Sequence, residues 1–165
     1  MLTIFLLIVS CSSLNQTSSE KEFEVISFQQ GKMEQESKAW KISEEGANYI
    51  YKENGTCKFY GQIKPCMWFG FVLKYKTNQE KVVLKCSLNT TATVDFGNPN
   101  EKLSQKTDSF NFELELEGNT DELINPQYII DNQSTETTVD KTVCKYKGKE
   151  ILSFTNKFEF QKPAN

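Results

Sequence analysis

Apolar and polar residues alternate through most of this chain. In SFNFELELE, residues 109–117, Phe110, Phe112, Leu114 and Leu116 fall on one face. Asn111, Glu113, Glu115 and Glu117 fall on the other. A period of two with one apolar face predicts a half-buried β-strand, because successive side chains point to opposite sides of a sheet. KVVLKCSL, 81–88, gathers Val82, Leu84, Cys86 and Leu88 on one face. ILSFTNKFEF, 151–160, gathers Leu152, Phe154, Phe158 and Phe160.

CMWFGFVLKYK, 66–76, breaks the rule. Phe69, Phe71, Leu73 and Tyr75 share one side, yet Trp68 and Val72 stand on the other. A strand apolar on both sides is expected to be central and covered on both. Weaker strand patterns occupy 22–28, 48–52, 57–60, 90–96, 127–131 and 138–147. Segment 33–40 predicts a turn or two of helix. Turn residues punctuate the rest: Glu53-Asn54-Gly55, Thr77-Asn78, Gly97-Asn98-Pro99-Asn100, Glu117-Gly118-Asn119 and Lys147-Gly148-Lys149.

Many short strands with regular turns predict an all-β antiparallel sandwich, immunoglobulin-like in architecture, formed by one domain over 22–165. True immunoglobulin membership is not expected. Trp68 precedes both core cysteines, and Thr142 stands two residues before Cys144, where Tyr belongs.

The chain has five cysteines: Cys11, Cys57, Cys66, Cys86 and Cys144. Cys86 and Cys144 each share a face with core residues, so a bridge between them is expected to pin two sheets together. Cys57 and Cys66 enclose a short loop with Gly61 and Pro65 and are expected to pair. Four cysteines allow three connectivities, among which sequence does not choose. Two disulfides imply an oxidising compartment.

Residues 1–10 read as a signal peptide whose apolar run, Leu2 to Val9, is far short of a membrane span. Ile8-Val9-Ser10-Cys11 resembles the lipobox of bacterial lipoproteins. The resemblance implies cleavage before Cys11 and acylation there, with diacylglycerol on the sulfur and a fatty acid such as palmitate. Residues 11–21 then form a lipidated flexible tether, polar and poor in core formers. The implied location is a bacterial cell envelope. The implied partners are the lipid membrane, through acylated Cys11, and an envelope protein.

Composition removes several classes of function. The chain has no His and no Arg; all nineteen cations are Lys, and the formal net charge is −3. Nucleic-acid binding is not expected without a basic field or Arg to read phosphate and bases. His-based nucleophilic catalysis lacks its base. No metal site or cofactor is expected, since the cysteine spacings contain no CxxC pair. Glu113, Glu115 and Glu117 point the same way and form a candidate acidic binding face, weighed against a solvated strand face balanced by neighbouring Lys. Trp40, Trp68 and Tyr128 are candidates for an aromatic surface, with core packing favoured for Trp68.

The leading expectation is a membrane-anchored envelope lipoprotein that serves as a binding or structural module and not as an enzyme. Two alternatives stand beside it. Asn15, Asn54, Asn89 and Asn132 begin Asn-X-Ser/Thr sites, which suit a eukaryotic secreted glycoprotein with an adhesion or defence role. Paired carboxylates would suit an envelope enzyme, marked by two converging acids with a raised pKa.

Overall fold

The computed structural model describes residues 22–97, 105–131 and 137–161. Ten strands account for nearly all of them: β1 (Phe23–Glu36), β2 (Ala39–Glu45), β3 (Asn48–Ile50), β4 (Gly55–Phe59), β5 (Gln62–Thr77), β6 (Lys81–Gly97), β7 (Gln105–Glu117), β8 (Glu122–Ile129), β9 (Thr137–Tyr146) and β10 (Lys149–Glu159). The fold is all-β, as alternation predicts.

Two antiparallel layers pack face to face. One has the order β2-β1-β5-β8, with β4 also on β5. The other runs β7-β6-β9-β10-β3. The far end of β6 joins them, where Phe96 and Gly97 pair with Ile129 and Tyr128 of β8. β3 lies parallel to β10, reached by a crossing at Gly46 and Ala47.

The core lies between the layers. Phe71, Leu73 and Tyr75 of β5 meet Val82 and Leu84 of β6, Leu114 and Leu116 of β7, and Leu152 of β10. These are inward residues of the three alternating stretches and of 66–76, which is apolar on both sides. A second cluster, with Met67, Phe69, Leu88, Ile129, Tyr49 and Phe158, continues the core toward the β6–β8 junction. Aromatic rings close the β1 side. Phe28 lies 4.8 Å from Phe154 of β10, and Phe23 lies 5.5 Å from Tyr146 of β9. Gln30 Nε2 donates to Thr155 O across the same gap at 3.0 Å.

The Cys86–Cys144 disulfide is present in the core. Its placement corrects one expectation: it does not pin the two layers together. Cys86 and Cys144 are direct partners in the β6–β9 ladder, with Cα atoms 4.0 Å apart. Both cysteines face the core as alternation says, but their strands are neighbours in one sheet.

Segment 33–40 also differs from expectation. It is the end of β1, a tight turn at Ser37-Lys38, and the start of β2. Both turn residues have positive φ, 49° and 73°, the geometry of a two-residue hairpin whose twist matches its strands. Such turns usually advertise themselves with Asn or Gly, and this one does not. Segment 90–96 is no separate strand either, but the continuation of β6 past an irregularity between Asn89 and Val94.

The bridge closes a stretch of 58 residues, which removes about 4 kcal/mol of chain entropy from the unfolded state in the loop-closure picture. Cys86→Ala/Cys144→Ala should therefore lose roughly 3–5 kcal/mol of unfolding free energy, read as a lower urea midpoint. A loss below about 1 kcal/mol would show that the ladder holds this register without the bond.

Candidate functional site

The outer face of β5 explains its second apolar side. Trp68 and Cys66 point away from the main core, and a third cluster forms over them: Met33, Cys57, Phe59, Cys66, Trp68 and Tyr128, with Trp40, Ile42, Val72 and Ile124 against its flank. Trp40 and Trp68 ring centroids are 4.5 Å apart, and Tyr128 meets Trp68 edge-on at 5.2 Å. Gly70 leaves the space that Met33 fills, since a Cβ there would sit 2.7 Å from Met33 Sδ.

The β4–β5 hairpin covers this cluster. Tyr128 Oη donates to Lys58 O at 2.9 Å, and Trp68 Nε1 donates to Thr56 O at 3.3 Å. Asn54 anchors the approach to β4: its Nδ2 donates to Met33 O and Trp68 O, and its Oδ1 accepts from Trp68 N at 2.6 Å. Beyond the cover, the hairpin tip is open. Tyr60 is 73% exposed and Ile63 77% exposed, and Lys58 and Lys64 stand beside them. Tyr60 has φ 48°, a left-handed conformation that bulky side chains rarely adopt. No Asp or Glu occurs between Gly55 and Pro65.

Cys57 and Cys66 are buried thiols in this structure, and they hydrogen-bond each other. That bond and the Lys64 charge hold Cys57 below the usual thiol range. The same bond, with burial, pushes Cys66 up.

The acidic face is assembled differently. Glu113, Glu115 and Glu117 are exposed on the outer side of β7, as alternation requires. The ladder sets Lys81 opposite Glu117 and Lys85 opposite Glu113, and Lys81 Nζ lies 2.6 Å from Glu115. Glu115 holds the Lys81 ammonium above its ordinary value. Lys85 in turn faces Lys145 of β9, and these residues line an open groove with Ser87, Asn111 and Val143. The stripe is thus a mixed-charge surface. Among the described residues, no group of three metal-ligating side chains occurs. Cys11, the candidate for acylation, lies outside the described residues, as do Asn15 and Asn132.

The residue that sequence reasoning missed is Asp140. It lies on the inward face of β9 between Thr138 and Thr142 and is 0% exposed. Its Oδ1 accepts the Asn156 backbone N–H at 2.9 Å. Its Oδ2 and the nearby Thr138 Oγ1 are buried without a hydrogen-bond partner among the described residues. Tyr49 Oη completes the group, 3.2 Å from Asn156 Oδ1. Burial pushes the Asp140 carboxyl up to about 7, against the lowering pull of the Asn156 hydrogen bonds. The cause is desolvation, and no second carboxylate contributes among the described residues. The signal was the period-two phase that Asp140 shares with the core-facing Cys144, and its charge argued the opposite.

No protein-family model matches this chain. No curated protein matches it. Among solved structures, the N-terminal domain of PorA is similar, with 10% identity and a TM-score of 0.43 over 84% of this chain and 100% of that one.

Asp140 makes stability depend on pH with a definite sign. The folded state holds its proton up to about pH 7, whereas an unfolded Asp releases it near its ordinary value of 3.8. Its contribution is therefore complete below about pH 4, falls as pH rises toward 7, and is flat above that. Asp140→Asn keeps the shape and removes the charge. It should stabilise the fold by a few kcal/mol at pH 8, have little effect at pH 4, and flatten the profile between them. Urea unfolding at the two pH values measures this; an unchanged slope in the variant would place the titration elsewhere.

Proposed function

We propose that this chain is an envelope lipoprotein, held at a membrane by acylated Cys11, whose sandwich serves as a non-enzymatic binding module. The observation that carries the reading is the Cys86–Cys144 bond inside the core. Structural disulfides persist in oxidising compartments, so a covalent core bridge supports export. The lipobox-like Ile8-Val9-Ser10-Cys11 supplies the means of retention. Two or more acyl chains hold a protein stably at a bilayer, while one gives marginal binding. A tether of about ten residues spans roughly 18 Å.

The layout of the sandwich favours a contact surface at its far end. β1 begins at Phe23 opposite Thr77, the last residue of β5, while the β4–β5 tip adjoins the first, Gln62. The length of β5 separates them, roughly 50 Å at strand rise. A chain tethered before Phe23 would carry the Tyr60–Ile63 tip toward a partner protein. The absence of His and Arg from the whole sequence supports a role outside enzymology.

The glycoprotein reading is weaker at Asn54. Its carboxamide makes three hydrogen bonds to Met33 and Trp68 backbone atoms, and a glycan on Nδ2 would remove one of the two that Nδ2 donates. Asn89 is exposed and carries no such objection.

Intact mass and membrane fractionation of the protein from its native cells test the anchor. The wild type should begin at Cys11, carry acyl mass and sediment with membranes, and Cys11→Ser should release it as unacylated protein. An unacylated, soluble wild type that begins beyond Cys11 would overturn the reading.

A further inference from the structure

We propose that Cys57 and Cys66 close a second disulfide, which clamps the β4–β5 hairpin over the aromatic cluster on the outer face of β5. Three observations converge. The hairpin register sets the two cysteines diagonally on one side, both are buried, and the cover they would lock is thin.

The register brings them together. Cys57 faces Lys64 and Cys66 faces Gly55, so the two cysteines are diagonal neighbours on one side of the hairpin. Diagonal neighbours stand farther apart than direct partners, yet within reach of modest backbone movement. The hairpin can supply that movement. Thr56 and Pro65, the residues between, are exposed, and β4 has only β5 as its ladder partner among the described residues.

The cover needs a clamp for a physical reason. A lone two-stranded ribbon of five residues per strand is marginal in water. This one hides Trp68 and Tyr128 through two side-chain hydrogen bonds and the packing of Phe59. Reduced, it would open at little cost and expose an apolar patch that includes both tryptophans of the chain.

Closure balances with an exchangeable disulfide such as oxidised glutathione. The Cys57 thiolate attacks one glutathione sulfur, and the first reduced glutathione leaves. The Cys66 thiolate then attacks Cys57 sulfur and displaces the second. Two protons and two electrons pass from the cysteines to the two glutathione molecules. Cys57 attacks first because the Cys66 hydrogen bond and Lys64 favour its thiolate.

The test uses the full chain carrying Cys11→Ser, refolded in a glutathione redox buffer, so its outcome does not depend on the anchor. Iodoacetamide is added under denaturing, non-reducing conditions, and tryptic fragments are weighed. The expected result is a fragment with Cys57 joined to one with Cys66, lighter by two hydrogens than the separate thiols, beside the Cys86–Cys144 pair. Alkylated Cys57 and Cys66 in molecules whose Cys86 and Cys144 are linked would overturn the proposal.

The clamp is read from tryptophan emission. Cys57→Ala/Cys66→Ala, with unchanged far-ultraviolet circular dichroism, should shift emission to the red and raise iodide quenching at least twofold. Emission and quenching equal to those of the oxidised protein would overturn the clamp. Should the double variant lose its strand signal, Cys66→Ala alone is compared with the oxidised protein by the same two readouts.

Discussion

The structure depends on β5 being apolar on both of its faces. One face, Phe69, Phe71, Leu73 and Tyr75, fixes the main core between the layers. The other, led by Cys66 and Trp68, needs its own cover, and β2, β4 and β8 are arranged to supply it. A Trp and a Tyr bury on the order of 200 Å² each, at roughly 25 cal/mol per Å². Leaving both wet would forgo several kcal/mol, a large part of the net stability of a domain this size. The hairpin that follows Asn54 is the consequence, and Asn54 itself is drawn into the backbone of β5.

The second layer meets a different constraint, because its interior is not wholly apolar. β9 sends Thr138, Asp140 and Thr142 inward beside Cys144. Three polar side chains in a row weaken the hydrophobic hold of that strand. The Cys86–Cys144 bond sits next in the same row and ties β9 to β6. Burial keeps the Asp140 carboxyl protonated up to about pH 7, and its Oδ1 accepts the Asn156 backbone N–H. On the outer side of the same sheet, charge is handled by pairing: Lys81, Lys85 and the glutamates of β7 offset one another in water, where such pairs contribute little.

Alternation was informative wherever one face was buried, because a one-residue slip there would expose the whole apolar set. It placed Leu114 and Leu116 inside and Glu113, Glu115 and Glu117 outside, as found. It misled over 33–40, where Met33 and Trp40 pack on the outer cluster across a turn lacking Asn or Gly. The aromatic cluster was half legible: Trp40, Trp68 and Tyr128 were marked together as one aromatic surface, but the β4–β5 hairpin that covers Trp68 and Tyr128 was not. Asp140 was legible only through the phase it shares with Cys144, and its charge argued for exposure, the ordinary state of a charged residue.

The sequence by itself determined most of the strands, their inward residues and the core-facing side of Cys86 and Cys144, because those follow from local periodicity and residue type. It also determined the absence of imidazole and guanidinium from any site the protein can build. Tertiary structure alone decided which strands became neighbours. That choice turned an expected bond between sheets into a rung within one sheet, set Cys57 diagonal to Cys66, and sealed a carboxyl among Asn156, Tyr49 and Thr138. The physical reason is that pairing and burial arise from contacts between segments far apart in the chain, which no local pattern encodes.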